Sequence, residues 1–172
     1  MKTFFLLSIF SFVIPSVYFT DIKPVDENGS VTFTVKNFGI NTNGELKGLK
    51  GNIHWDEANI SKSTIDVSVD VATINTGIEM RDKDLQSEGY FNAAKYPQIQ
   101  FKSTSISAST VTGILTMKGI SKSLSFPYTV QKVNGVYVFE GNFAINRKDF
   151  GLGGSLTTIS NRVDVHLKVK AK

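Results

Sequence analysis

The chain has 172 residues, of which 41% are hydrophobic and 20% charged, and this composition predicts one folded domain rather than a disordered chain. The sequence contains no cysteine, which excludes disulfides, thiolate metal sites and thiol nucleophiles. Its formal net charge is +4, but the lysines are scattered along the chain, so we expect no nucleic-acid partner.

The first residues have the pattern of a secretory signal peptide. Lys2 supplies a positive charge, residues 4–14 are almost wholly apolar, and Pro15 and Ser16 follow the apolar run. We predict a signal peptide over residues 1–20 and an exported, periplasmic or secreted domain over residues 21–172. An uncleaved anchor is the less favoured alternative, because the run is too short for a comfortable membrane span. The mature domain is therefore expected to have no stable membrane span.

From residue 30 onward, apolar and polar residues alternate with a period of two, which is typical of strands that bury one face. The alternation predicts strands over residues 31–35, 65–71, 98–102, 111–117, 124–130, 137–145 and 163–169. Asn134-Gly135 is a dipeptide that favours a tight hairpin turn. A further strand marked by glycines, over residues 43–56, brings the count to eight.

Eight antiparallel strands can close into a barrel, which removes exposed strand edges. We therefore predict an all-β fold with an eight-stranded antiparallel barrel, and a two-sheet sandwich is the structural alternative. Residues 79–94 lack strand periodicity and are rich in charge and helix formers. They predict a short helix or ordered loop that caps one end of the barrel.

The sequence contains none of the easily identified catalytic motifs. His54 and His166 are isolated, and we expect both on the rim or the outer surface. Asp66 and Asp70 share one strand face, but four residues of strand separate them by about 13 Å, too far for a glycosidase pair. We predict no catalytic residues and no metal site.

Several segments, taken together, are similar to the YceI-like family. The most specific are the following: Arg81-Asp82-Lys83-Asp84-Leu85, Tyr90-Phe91-Asn92, residues 95–103 (KYPQIQFKS), the Gly113, Leu115 and Gly119 set, and residues 147–151 (RKDFG). They resemble the family's R-D-x-H-L, F-F-D, Y-P-x-I-x-F-x-S, G-x-L-x-x-x-G and R-x-D-F-G elements. This sequence has Asp84 where the family usually has histidine, and Asn92 where it often has aspartate.

The resemblance implies an exported bacterial protein with an extended lipocalin-like barrel that binds polyisoprenoid lipids such as quinone-type molecules. On the residues alone, the large apolar side chains of the inward faces suit either a solid core or a ligand cavity. The resemblance favours a cavity that holds an apolar lipid, with no other cofactor. The candidate lining residues are Phe33, Val35, Val67, Val69, Ile99, Phe101, Leu115, Met117, Phe126, Phe139 and Phe143.

Five polar residues are candidates for the mouth of the barrel: Arg81, Asp82, Asp84, Arg147 and Asp149. They are interpreted either as a site for a lipid head group or as groups that pin the mouth loops through charge-assisted hydrogen bonds. We favour the second interpretation.

The sequence is compatible with three hypotheses for the function. The leading hypothesis is a non-catalytic carrier of a long isoprenoid lipid of the quinone or polyprenyl class. The second is an enzyme acting on an isoprenoid, for which Arg81, Asp82, Asp84 and Tyr90 offer the usable groups. The third is a structural, interaction or stress-related barrel with a filled core and no ligand. The oligomeric state is left open by the sequence, with a dimer among the options.

Overall fold

The computed structural model of the protein describes residues 20–25 and 30–172. Apart from Thr20, the predicted signal peptide lies outside the described residues. These described residues form eleven strands and one α-helix. They are β1 (Thr20–Ile22), β2 (Pro24–Val25), β3 (Val31–Asn37), β4 (Ile40–Leu46), β5 (Lys50–Trp55), β6 (Thr64–Asp70), α1 (Glu79–Gln86), β7 (Gln98–Ile106), β8 (Thr110–Met117), β9 (Ile120–Val133), β10 (Val136–Asn146) and β11 (Ile159–Ala171). Short 3-10 turns cover Ile60–Lys62, Val71–Thr73 and Arg147–Phe150.

All strands pair antiparallel in one continuous, curled sheet with the order β1-β5-β6-β7-β8-β9-β10-β11-β3-β4, and β2 pairs with β11. This confirms the all-β prediction and excludes the two-sheet sandwich. Helix α1 lies within the segment predicted to form a helix or ordered loop. No helix in the described part of the chain is long and apolar enough to cross a bilayer.

The strand count differs from the expected eight. Residues 43–56 contribute to two strands, β4 and β5, rather than one, and Gly48 between them has a φ of 75°. The strands β3 and β4 are joined by a two-residue turn at Phe38-Gly39, where Phe38 has a φ of 49°. A bulky residue rarely adopts a positive φ, so the sequence gives no turn signal there. The predicted turn at Asn134-Gly135 is confirmed.

The first two strands close one end of the barrel. Strand β1 pairs with β5, placing Ile22 opposite Ile53, and β2 pairs with β11, placing Pro24 opposite Ala171. These short strands therefore join two strands that are distant in the sheet order. We call this the closed end.

At the opposite end, which we call the capped end, β9 and β10 separate. Residues 120–127 of β9 pair with β8, whereas residues 128–133 pair with β10. Phe150 and Leu152, which follow β10, pack against Leu115 and Met117 of β8 in a small buried cluster. The loops after β10 thus fill the space that the separating strands leave.

Gly51 in β5 is essential to the pairing of β5 with β6. Its φ is 139°, and a Cβ placed there would lie 2.1 Å from the main-chain oxygen of Asp66. Because this oxygen belongs to a paired strand, it cannot move independently. We expect Gly51→Ala to lower the free energy of unfolding by about 3 kcal/mol or more.

The matched control is Gly135→Ala. Gly135 also has a positive φ, of 80°, but nothing lies within 4 Å of the added Cβ. The free energy of unfolding of Gly135→Ala should fall by about 1 kcal/mol, which reflects backbone strain alone. Chemical denaturation of both variants measures the difference, and equal losses would contradict the proposed clash.

Candidate ligand-binding cavity

The barrel encloses a cavity of about 400 Å³ with a mainly apolar wall. This volume lies within the range of small-molecule sites in proteins. All eleven candidate lining residues are on the wall: Phe33, Val35, Val67, Val69, Ile99, Phe101, Leu115, Met117, Phe126, Phe139 and Phe143. The interior is therefore not a solid core, and a role for these residues in holding a ligand stays a prediction.

Three phenylalanine rings of the wall lie over glycines of neighbouring strands. A Cβ on Gly44 would lie 2.3 Å from the ring of Phe33, and one on Gly113 would lie 2.5 Å from the ring of Phe101. A Cβ on Gly141 would be 3.2 Å from the ring of Phe126. The missing side chains let the rings lie back against the sheet instead of pointing across the barrel.

The floor of the cavity, at the closed end, is an aromatic cluster around Trp55. This residue is 2% exposed, and its ring meets Phe139 edge-on at 5.0 Å between centroids. Tyr128 packs edge-on against Trp55 at 6.2 Å, and burial raises the pKa of its hydroxyl, which donates to the main-chain oxygen of Ser107. Tyr128 is therefore neutral near physiological pH.

Tyr137 continues this cluster to the surface. It is 3% exposed, and its hydroxyl donates a hydrogen bond to the carboxylate of Glu57. This bond and a second one from Lys132 hold the pKa of Glu57 below its ordinary value. The closed end is thus packed with rings inside and sealed by charged groups outside.

Arg147 organises the capped end. It is 3% exposed, and its guanidinium donates to the main-chain oxygens of Leu152 at 2.6 Å and Leu156 at 2.7 Å. It also donates to those of Ser160 and Ile159, each at 3.0 Å. One side chain therefore ties the loop between β10 and β11 to the start of β11 through four hydrogen bonds.

Arg81 and Asp82 both bind Thr76, which lies three residues before the first residue of α1. Arg81 donates to the hydroxyl and the main-chain oxygen of Thr76, each at 2.7 Å. The carboxylate of Asp82 accepts from the main-chain N–H of Thr76 at 2.9 Å and from its hydroxyl. These contacts hold the loop before α1 against the start of the helix.

The five candidate mouth residues are not equivalent. Arg81, Asp84 and Arg147 lie on the cavity wall, whereas Asp82 and Asp149 do not. Asp84 is an exposed residue of α1, and Asp149 is also exposed.

The other titratable residues considered for chemistry lie on the outer face of the sheet. Asp70 pairs with Lys50 at 2.9 Å, and Asp66 lies 3.6 Å from Lys102. The exposed His166 bonds Asn142 at 2.7 Å. His54 lies 2.7 Å from Asp21 of β1. Within the described ranges, no group of three or more acidic or histidine residues is placed to hold a metal ion.

Several wall residues extend beyond the predicted set. In the strands they are Val31, Val163, Val165 and Leu167, and in the loops and helix of the capped end they are Leu85, Tyr90, Phe91 and Leu152. The strand residues follow the alternation of β3 and β11, so the sequence pattern could have identified them. The residues of the capped end follow no periodic pattern.

Known proteins place this architecture in a family. The sequence profile described as the YceI-like domain matches residues 22–171. The chain belongs to the YceI-like family. It is 28% identical over 164 residues to protein YceI of Escherichia coli O17:K52:H18 (strain UMN026), an alignment that covers 85% of this chain and 84% of that protein.

Two solved structures share the fold. BcnA of Burkholderia cenocepacia superposes with a TM-score of 0.78 at 24% identity, covering 88% of this chain and 96% of that one. A polyisoprenoid binding domain from Saccharophagus degradans superposes with a TM-score of 0.71 at 15% identity, covering 88% and 97% of the two chains. The predicted family and the lipocalin-like fold are confirmed.

The contacts of Arg147 predict a large effect of a conservative change. In Arg147→Lys, a single ammonium replaces a planar fork and cannot reach four carbonyl oxygens. Because these oxygens lie around a buried charge, we expect a loss of about 2–4 kcal/mol in the free energy of unfolding. Chemical denaturation measures the change.

Arg162→Lys is the matched control. The Arg162 side chain is 70% exposed and pairs with Asp164. The free energy of unfolding of Arg162→Lys should differ from that of the wild type by no more than about 0.5 kcal/mol. A small loss in both variants would show that the guanidinium of Arg147 does not hold the loop.

Proposed function

We propose that the protein is an exported, non-catalytic carrier that holds a long, uncharged isoprenoid lipid of the quinone or polyprenyl class inside the barrel. One observation carries the proposal: a cavity of about 400 Å³ with an apolar wall, closed at one end by the Trp55 cluster. The polyisoprenoid binding domain from Saccharophagus degradans has the same fold, and this supports the ligand class.

The wall suits a methyl-branched hydrocarbon chain. Such a chain has no hydrogen-bonding groups along its length, and it gains about 25 cal/mol for each Å² of apolar surface removed from water. The rings of Phe33, Phe101 and Phe126 present flat apolar surfaces to the cavity. Contacts of this kind discriminate weakly among lipids, so chain length and saturation should matter little.

The polar groups on the wall support a head group at the capped end. The amide oxygen of Asn37 lies on the wall, is buried, and has no hydrogen-bond partner among the described residues. Asp84 lies on the same wall. A hydroxyl on the lipid would satisfy the Asn37 oxygen, since a buried acceptor without a partner costs free energy.

The arrangement of charges supports a binding role rather than catalysis. Arg81 and Arg147, the two arginines on the cavity wall, donate to main-chain oxygens, and Arg81 also donates to the Thr76 hydroxyl. Asp66 and Asp70 lie on the outer face, each beside a lysine of an adjacent strand. The two arginines on the cavity wall are thus occupied by hydrogen bonds that hold the loops, which supports a binding role.

Direct extraction tests the proposal. The protein is purified from its native host without detergent, and organic extracts are analysed by mass spectrometry. We expect an isoprenoid lipid in near-stoichiometric amount. A barrel that is consistently empty after native purification would overturn the proposal.

A variant that fills the cavity gives an independent test. Val165 of β11 lies on the wall, and Val165→Trp places an indole in the space for the lipid. If the indole displaces even one five-carbon unit of the lipid from the cavity, lipid retention should fall about tenfold or more, because that unit is no longer shielded from water. Bound lipid per mole of protein is measured by mass spectrometry.

The control is His166→Trp, which adds an indole at the adjacent position. His166 is on the outer face of β11 and is exposed. Lipid retention should equal that of the wild type. Equal loss in both variants would mean that bulk on β11, rather than occupancy of the cavity, causes the effect.

A further inference from the structure

Large apolar side chains are exposed mainly at one end of the molecule. Four of them belong to two neighbouring segments, the β3–β4 turn and the start of α1, and we call this set the apolar lip. It consists of Phe38 at 76% exposure, Ile40 at 72%, Ile78 at 54% and Met80 at 76%. Among the described residues, the closed end has a single counterpart, Val133 at 53%.

The two segments flank a gap in the barrel wall. Strand β4 pairs with β3 along its length, but in the described chain its other edge is joined only at Glu45, by a bridge to Asn75. The bridge is antiparallel, so the chain leaves Asn75 in the direction of the β3–β4 turn. Ile78 and Met80, three and five residues beyond the bridge, therefore lie toward the same end of the barrel as that turn.

The gap leads into the cavity. Thr42 of β4 and Asn37 of β3 line the cavity on one side, and Thr76 and Arg81 line it on the other. We call this opening the portal. The apolar lip thus lies on both sides of the portal, and the apolar wall continues inward from it.

Phe38 adopts a conformation that folding alone does not favour. Three tight turns have the same geometry, and their first residues are Phe38, Lys118 and Asn134, with φ values of 49°, 50° and 50°. Asparagine tolerates this region well, whereas a bulky aromatic residue is a strained exception. The backbone of Phe38 is strained and its side chain is exposed to water. The presence of a phenylalanine at this position therefore improves neither the stability of the fold nor the solubility of the protein.

The lip carries no strong net charge. Glu79 and Lys83 of α1 pair with each other at 2.7 Å, and Arg81 and Asp82 both bond Thr76. An acidic or basic partner is therefore not favoured. Apolar tips that project from a balanced surface are suited to the interface of a bilayer.

We propose that the apolar lip docks on the surface of a lipid bilayer and places the portal against it, so that a lipid enters the cavity without crossing water. The inference rests on the proposed carrier function, because the cargo of such a carrier resides in a bilayer. The continuity of the lip, the portal and the apolar wall favours a bilayer over a second copy of the chain.

Co-sedimentation with dioleoylphosphatidylcholine vesicles tests the docking. The wild-type protein is expected to bind these uncharged vesicles equally at low and high salt. Phe38→Asn should weaken binding about tenfold, the effect of withdrawing one large apolar side chain from the interface. Asparagine also fits the left-handed turn, so the variant should melt at the same temperature as the wild type or higher.

Val133→Asn is the matched control, since it removes an exposed apolar residue next to a tight turn at the closed end. Its vesicle binding should be unchanged. The proposal is overturned if the wild type does not bind, if Phe38→Asn binds as well as the wild type, or if Val133→Asn loses binding equally. A wild-type dimer that fails to bind vesicles and dissociates in Phe38→Asn would identify the lip as a self-association surface instead.

Mass spectrometry of the same preparations separates the two proposals. Protein that carries lipid but does not bind vesicles contradicts docking and leaves the carrier function intact. Protein that binds vesicles through Phe38 but carries no lipid contradicts the carrier function and leaves docking intact.

Discussion

The hollow interior depends on the stacking of phenylalanine rings over glycines. Phe33, Phe101 and Phe126 would fill the barrel if their rings pointed across it, but each lies over a position without a side chain, at Gly44, Gly113 and Gly141. The rings therefore bury apolar surface against the sheet, as core residues do, while the axis stays open. The sheet gains much of the stabilisation of a packed core on one side of each ring and keeps an apolar surface for a ligand on the other.

The two ends of the barrel contribute differently to the stability of the fold. At the closed end, the rings of Trp55 and Tyr137 both pack against Phe139, and the short strands β1 and β2 join β5 to β11. The closed end can therefore stabilise the fold without a ligand. A cavity leaves its lining atoms without packing partners, so the region around it is the part of the fold that a bound lipid would stabilise.

The alternation predicts β3 and the strands from β6 onward and places the eleven named residues on their inner faces, because the two faces of a strand follow directly from a period of two. It does not indicate the short strands β1 and β2 or the division of residues 43–56 into β4 and β5. It could not separate a filled barrel from a hollow one, since the position of a ring over Gly44 or Gly113 depends on the pairing of strands. The turn at Phe38-Gly39 was missed because its first residue is atypical for that geometry. The carbonyl partners of Arg147 lie in the loop between β10 and β11 and in the first two residues of β11, and no local pattern indicates them.

Arg147 also determines which side of the capped end can open. Its four hydrogen bonds fix the loop between β10 and β11, and Phe150 and Leu152 fill the space between β9 and β10. The portal side is held by the bridge between Glu45 and Asn75, by two hydrogen bonds between the Lys47 main chain and the Thr73 hydroxyl, and by the bonds of Thr76 to the start of α1. In the described chain, β4 has no continuous strand partner on that edge, so the wall can widen there without separating a pair of strands. The edge of the sheet without a partner strand is thus also the side that carries the exposed apolar residues.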